Sequence, residues 1–353
     1  MKILGIESSC DETAAAIVED GHMLLSNVVA SSMDLQAQYG GVVPEIAARS
    51  HIEAVIPVIK QALQDANCQW TDIDSIAVTY GAGLGGSLLI GVLTARTLAI
   101  IKQKPLYAIN HVAGHVYANF ITQTALPGYS LPKTPPAFPM LALIVSGGHS
   151  QLVLFKSHFD YTLLGQTQDD AIGEAFDKVA RMLGLPYPGG PIIGVKALEG
   201  NPHRFNLPKA KLRGKYDFSF SGLKTAVLRL AQEQIGEDFT FPSKSLSGHL
   251  SEAQKADIAA GFERTAIETV VDKTITAYDE FQPKSVVIAG GVAASPELRR
   301  QLTERLPISI SYTDPKLCTD NGAMIAALGY FQSQQSTKAT DAYALEISPS
   351  LSM

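Results

Sequence analysis

Apolar positions along the chain fall into short runs separated by polar breaks, and their spacing predicts two copies of one pattern. Ile3-Leu4-Gly5-Ile6 is followed by a break at Glu7-Ser8-Ser9-Cys10-Asp11-Glu12, by a second run Thr13-Ala14-Ala15-Ala16-Ile17-Val18, and, after Glu19-Asp20-Gly21, by a third. Short apolar runs bounded by small and acidic residues predict a three-strand meander. The theme returns at Leu141-Ala142-Leu143-Ile144-Val145, then at 151–155 and 161–165, with Ser146-Gly147-Gly148-His149-Ser150 as the first turn. Each meander also has a strand, glycine turn and helix downstream. In the first half this is Ile76-Ala77-Val78-Thr79, the glycines from Gly81 to Gly86, and a helix over 88–99. In the second it is Ser285-Val286-Val287-Ile288-Ala289, Gly290-Gly291-Val292, and a helix from Pro296. Repetition of so long a unit predicts an internally duplicated α/β fold with mixed sheets.

Helical periodicity fills the intervals. Pro44 opens a helix over 44–64 with Ile46, Ile52, Val55 and Ile59 near helical spacing, and Pro57 inside it is expected to kink or divide it. Ile172, Phe176, Val179 and Leu183 form an apolar stripe, leaving Glu174, Asp177, Lys178 and Arg181 opposite, where charges ordinarily form a solvated face. A proline-rich stretch at 126–139 separates two lobes. The first is expected at 1–125, completed by a C-terminal helix around 321–335, and the second at 126–320. Ser, Gln and Thr accumulate over 336–353, which predicts a loosely ordered tail.

Composition narrows the class. With 353 residues, 46% of them hydrophobic, the chain has apolar material for two lobes. No apolar run free of Gly and polar residues reaches membrane-spanning length, and the N-terminus lacks a signal peptide's core, so a cytoplasmic protein is expected. Cys10, Cys68 and Cys318 are odd in number and far apart, which predicts free thiols. A net charge of -6 argues against a bulk electrostatic grip on nucleic acid. The strongest local positive cluster is Lys209-Ala210-Lys211-Leu212-Arg213-Gly214-Lys215, beside Phe218-Ser219-Phe220-Ser221-Gly222-Leu223-Lys224. That mixture suits single-stranded RNA, or equally an ordinary strand and solvated loop.

The chemistry centres on His111 and His115. Leu106-Tyr107-Ala108-Ile109 reads as a strand and Asn110 as an N-cap, so the two imidazoles share one helical face at metal-ligand spacing. Packing or capping is the competing explanation. Asp320, before a small-residue helix, is either an N-cap or a third ligand. Val112 stands where a zinc peptidase carries its glutamate base, which disfavours that mechanism, and no glycine turn runs into Gly-Lys-Ser or Gly-Lys-Thr. Duplicated lobes with glycine turns at strand ends describe a nucleotide-binding enzyme of actin-like or sugar-kinase-like, two-lobed architecture with a central cleft.

Several motifs together carry a resemblance. Gly5-Ile6-Glu7-Ser8-Ser9-Cys10-Asp11-Glu12-Thr13, Tyr39-Gly40-Gly41-Val42-Val43-Pro44-Glu45, His111-Val112-Ala113-Gly114-His115, Val145-Ser146-Gly147-Gly148-His149, Gly173-Glu174-Ala175-Phe176-Asp177-Lys178, Pro188-Gly189-Gly190-Pro191 and Thr319-Asp320-Asn321-Gly322-Ala323-Met324 resemble the universal tRNA N6-adenosine threonylcarbamoyltransferase family, once described as a sialoglycoprotein endopeptidase. The segment from Phe218 to Thr225 matches it too. The resemblance implies transfer of threonylcarbamoyl from threonylcarbamoyl-adenylate to N6 of the adenosine beside the anticodon, in tRNAs reading ANN codons. It implies one metal ion, usually iron with zinc also feasible, held by His111, His115 and Asp320. It implies adenylate binding by Ile144, Val145, Ser146, Gly147, Gly148, Asp177 and Gly190, with Ser295 at a contact position. Implied partners are tRNA, a degenerate paralogue forming a heterodimer and a small ATPase, with no membrane. Three positions depart from the family pattern: Ala82 replaces Pro, Ser295 replaces Asn, and Gly194 replaces Asp. Carboxylate chemistry and turn position make Asp11 or Glu12 the candidate to orient or deprotonate the adenosine amine. The alternative function is an ATP-dependent small-molecule kinase or hydrolase of the same fold.

Overall fold

The apolar runs become strands. In the computed structural model, which describes residues 1–335 and 338–353, the chain divides into two units, Met1–Pro136 with Ser311–Met353, and Ala137–Ile310. The first holds β1 (Lys2–Glu7), β2 (Glu12–Glu19), β3 (Met23–Ser31), β4 (Ser75–Gly81), β5 (Leu106–Asn110) and β6 (Gln123–Thr124). They form one sheet in the order β5-β4-β1-β2-β3-β6. β1 pairs antiparallel with β2 and parallel with β4, with Gly5 opposite Ala16 on one side and Ala77 on the other. Helices cover both faces, so β1 is apolar from Ile3 to Ile6 rather than alternating.

The second unit repeats this connectivity. β7 (Met140–Val145), β8 (Ser150–Ser157), β9 (Asp160–Gln166), β10 (Ser285–Ala289) and β11 (Ile310–Ser311) lie in the order β11-β10-β7-β8-β9. β7, β8 and β9 form the antiparallel meander and β10 runs parallel to β7. Both sheets therefore place the meander's first strand beside a parallel strand that ends in glycine. The chain leaves the first unit within the proline-rich stretch, at Pro136, and returns at Ser311.

Three local expectations need correction. Helix Pro44–Asp65 runs unbroken through Pro57. Buried Val55, Val58, Ile59 and Ala62 on its inner face outweigh one missing hydrogen bond. The helix expected at 88–99 spans Gly85–Lys102, because the last glycines of the turn form its first residues. It is long and apolar enough to cross a membrane by length and composition, yet Leu88, Val92, Ala95 and Ala99 are buried in this unit. Finally, the tail expected to be loose is tied down where it is described, Ser336 and Thr337 lying outside the described residues. Thr340 bridges Leu106, Leu345 joins the core, and Arg96 donates to the carbonyls of Ala342 (2.6 Å), Tyr343 (2.7 Å) and Leu345 (3.2 Å). A serine-rich segment has few apolar anchors of its own, and here a guanidinium supplies the anchoring from elsewhere.

The small-residue helix Gly322–Ser333 packs onto β1 and β2 at backbone distance. A Cβ on Gly5 would lie 2.2 Å from the Gly322 carbonyl oxygen, and one on Gly322 would lie 2.5 Å from the Ala16 nitrogen. Only glycine at both places lets the two backbones approach this closely. The approach fixes Asp320, two residues before the helix, against the turn that leaves β1.

Candidate functional site

Asn110 ends β5 and its side chain accepts a hydrogen bond from the Ala113 N–H at 3.1 Å, starting helix His111–Tyr117. His111 and His115 then stand one turn apart, ring centroids 4.8 Å from each other. Asp320 does not cap the following helix, since Asn321 performs that role by accepting from the Met324 N–H at 3.0 Å. Its carboxylate turns toward the two imidazoles. Asp320 Oδ1 lies 3.6 Å from His111 Nε2 and 3.3 Å from His115 Nε2, and the three potential ligand atoms fall within 4.8 Å of one another.

The other ring nitrogen of His111 is fixed from behind. Glu7 at the end of β1, fully buried, places Oε2 3.2 Å from His111 Nδ1, and Ser9 Oγ lies 3.1 Å from the same atom. Thr79 at the end of β4 donates its hydroxyl to Glu7 Oε2. With a cation bound beside Asp320, this carboxylate contact would hold the proton on Nδ1 and leave the Nε2 lone pair for the ion. His115 is 2% exposed, yet neither of its ring nitrogens has a hydrogen-bond partner among the described residues. A buried imidazole left this way is costly, and a cation shared with His111 and Asp320 would satisfy it. The residues present therefore fit a metal ion.

Acids crowd this place beyond what neutral pairing explains. Burial, then Asp320 and Asp11, push the Glu12 carboxyl up to about 9, and Glu12 shares a hydrogen bond with Asp11. Burial, with Asp11 and Asp320, likewise pushes the Cys10 thiol up, so it remains protonated. Burial would lower His111, but Asp320 and Glu7 outweigh it and raise the imidazole to about 9. Protons here do the work a cation would do in their place. The turn itself is braced by His51 from helix Pro44–Asp65, with Nδ1 2.7 Å from Thr13 Oγ1 and Nε2 3.0 Å from the Cys10 carbonyl. Burial lowers the His51 pKa, in keeping with a neutral brace.

The glycine turn after β4 has two of its amides already engaged. Gly83 N–H donates to the Pro349 carbonyl and Leu84 N–H to the Ser9 carbonyl, and a Cβ on Gly83 would lie 2.6 Å from that Ser9 oxygen. Its glycines serve close packing. The turn after β7 differs. Ser146 N–H donates to the His149 carbonyl and His149 N–H to Ser146 Oγ, which closes a tight loop. Gly147 and Gly148 are exposed, a Cβ on either would meet nothing within 4 Å, and no hydrogen bond among the described residues uses their N–H groups. Adjacent free amides in a turn form an anion-binding concavity.

The remaining positions named from sequence lie in the second unit. Ile144 and Val145 end β7 and are fully buried, so they can offer backbone only. Gly173 N–H donates to the Ser146 carbonyl at 3.2 Å, joining helix Ile172–Met182 to the turn. From that helix Asp177 accepts the Gly189 N–H at 2.7 Å, which starts helix Gly189–Ala197 with Gly190 in its first turn. Ser295 caps helix Pro296–Arg305 by accepting from the Leu298 N–H. Asp11, Glu12, His111, His115 and Asp320 all belong to the first unit. Two of the four cations of the basic cluster in the second unit are paired, Lys209 with Glu268 and Asp272, and Lys215 with Glu280. Lys224, beside it, pairs with Asp170. Glu7 and His51 were not singled out from sequence. A lone acid closing an apolar strand was the available sign for Glu7, whereas His51 sits in an unremarkable helix.

A family model described as tRNA N6-adenosine threonylcarbamoyltransferase matches residues 23–327. A protein of that name from Thermomicrobium roseum is 49% identical over 347 residues, covering 96% of this chain and 94% of its own. Another from Symbiobacterium thermophilum is 49% identical over 332 residues, covering 93% of this chain and 91% of its own. Among solved structures, full-length HypF in its phosphate- and nucleotide-bound form superposes with a TM-score of 0.56 at 12% identity, over 96% of this chain and 47% of that one. That likeness bears on fold alone, and the fold is α/β of the actin-like and sugar-kinase-like type.

Proposed function

The chain belongs to the tRNA N6-adenosine threonylcarbamoyltransferase family, and from that premise we propose that it forms N6-threonylcarbamoyladenosine beside the anticodon of tRNAs reading ANN codons, taking the acyl group from threonylcarbamoyl-adenylate. The observation that carries the chemical reading is the convergence of His111, His115 and Asp320. These side chains would hold one divalent ion, iron being expected, although two imidazoles and a carboxylate also accept zinc. Such an ion supplies Lewis acidity toward a carbamoyl or phosphate oxygen.

The chain's own groups account for the remaining tasks. The free amides of Gly147 and Gly148 are suited to the adenylate phosphate, with Ile144, Val145 and Ser146 shaping the turn. Asp177 positions Gly190 through the Gly189 N–H, and Ser295 holds its loop by capping. The mixed anhydride is already activated, so the protein mainly has to orient the acceptor amine and stabilise developing charge. Asp11, which shares hydrogen bonds with both Glu12 and Cys10, is assigned to orient or deprotonate that amine, with Glu12 its proton-sharing neighbour.

Substrate and partners follow the same reading. The protein acts on tRNA in the cytoplasm and works with a paralogue and a small ATPase. Ile52, Ile56, Leu89 and Leu93 on helices Pro44–Asp65 and Gly85–Lys102 are exposed apolar side chains of a kind that a protein partner covers. The deciding experiment incubates the protein with tRNA, threonine, bicarbonate, ATP and the partner proteins, then analyses nucleosides by mass before and after metal removal. Modified adenosine that disappears on chelation and returns with iron is expected. ATP turnover that needs no tRNA and ignores chelation would instead support the kinase or hydrolase alternative. Metal analysis of the purified protein identifies the ion.

A further inference from the structure

The second unit contains a carboxylate that the reading above leaves without a task. Glu263 lies in the middle of the long helix Glu252–Phe281, which packs against helix Gly189–Ala197. Its side chain is half-buried, and no hydrogen bond or ion pair among the described residues reaches its carboxyl group. The neighbouring acids of the unit differ in this respect: Glu268 pairs with Lys209 and Arg264, and Glu297 with Arg300. Burial, reinforced by Glu297, pushes Glu263 up to about 7. Half-buried acids without partners are uncommon, because the solvation they lose is not returned.

Its direction is fixed by Gly194. A Cβ placed on Gly194 would lie 3.4 Å from Glu263 Oε1, and no other atom of a neighbouring element among the described residues comes within 4 Å of it. Gly190, one turn earlier on the same face, would meet nothing at all. Thus the face of helix Gly189–Ala197 that begins at the Gly190 turn carries glycine at two successive turns and is bordered at the second by one carboxylate oxygen. The carboxylate expected to serve the ligand there, Asp177, already accepts the Gly189 N–H. We propose that Glu263 is a substrate-binding residue whose carboxylate accepts hydrogen bonds from the ribose hydroxyls of the bound adenylate across Gly194. A vicinal diol is the matching chemistry, since its two donors meet an acceptor-only group and relieve its lost solvation. The assignment rests on the adenylate reading given above.

The test measures AMP and 2′,3′-dideoxy-AMP binding by calorimetry to the full chain, as wild type, Glu263→Gln, Glu263→Ala and Gly194→Asp/Glu263→Ala. Wild type is expected to prefer AMP about tenfold or more, the value of a hydrogen bond to a charged group. Glu263→Ala should abolish that preference and Glu263→Gln reduce it. Gly194→Asp should restore it in the double variant, because an aspartate there projects into the same space. Unchanged melting temperatures separate lost contacts from lost folding. A preference retained in Glu263→Ala overturns the assignment while leaving adenylate binding intact. Failure of the wild type to bind either nucleotide overturns the adenylate reading itself, and this assignment with it.

Discussion

The turn after β1 and the turn after β7 occupy the same place in two sheets of the same connectivity, yet they present opposite charge to a ligand. In each unit a glycine beyond the neighbouring parallel strand packs on the turn. A Cβ on Gly83 would strike the Ser9 backbone, and one on Gly290, whose φ is +89°, would lie 2.4 Å from the Val145 carbonyl oxygen. What differs is the use of the amides. In the first unit Ser9 N–H is spent on Glu7, Leu84 N–H on Ser9 and Gly83 N–H on Pro349, and acids face the opening. In the second, Gly147 and Gly148 keep their N–H groups and carry no side chain. A duplicated scaffold thus gathers donors suited to a cation in one unit and leaves amides suited to an anion in the other, and the distinction lies in a handful of turn residues.

The sharpest way to break this comparison is to remove a ligand. Asp320→Ala should abolish metal retention, seen by elemental analysis, and lower transfer at least 100-fold, while AMP binding to the second unit stays within twofold. Loss of both properties together would mean that the two turns do not act separately. Next in size, Gly148→Pro removes one free amide. Phosphate-dependent binding of AMP should weaken about tenfold to 100-fold with metal content unchanged. Glu7→Gln comes third. It keeps shape but weakens the contact that orients His111, and metal affinity should fall roughly tenfold, as for other groups behind a ligand. Unchanged affinity would show that Ser9 suffices.

A titration sharpens the same contrast. His111, ordinarily near 6.5, and Glu12, ordinarily near 4.5, are both raised to about 9. Each binds its proton more tightly when folded, so its contribution to stability is complete below the ordinary value and is lost as pH rises toward about 9. The metal-free protein should therefore melt at progressively lower temperature from pH 6.5 to pH 9. The metal-loaded protein should lose less, because the ion replaces those protons. Equal slopes for the two forms would remove the electrostatic account of the site.

Much of this was legible in the sequence, for identifiable reasons. Short apolar runs and glycine punctuation exposed the duplication, because the first strand of each meander and its parallel neighbour are buried on both faces and need no alternation. His111 and His115 were legible because helical spacing puts them on one face, and Asn110 marked the helix start. Asp320 was ambiguous between cap and ligand, and Asn321 resolves it by taking the cap. The glycines after β4 looked as suitable for phosphate as those after β7. Only the tertiary partners Pro349 and Ser9, one of them more than 250 residues away, show that the Gly83 and Leu84 amides are taken. Composition likewise misjudged the tail, since three hydrogen bonds from Arg96 do not show in the local content of the segment they hold.

That tail provides the smallest and most specific test. Arg96 reaches three carbonyls with one planar fork, a geometry lysine cannot reproduce, so Arg96→Lys and Arg96→Ala should each cost about 1–3 kcal/mol and raise hydrogen exchange over 342–352. Ser348 and Pro349 would then loosen from Tyr80 and Gly83, and the Gly83 amide would be freed. If the tail alone closed this turn to anions, the variant would gain phosphate binding. It should gain none, because the carboxylates of Asp11 and Asp320 remain beside this turn and disfavour an anion whether or not one amide becomes available. A measured gain would place the difference between the two turns in the strap that covers one of them, and no gain places it in the acids.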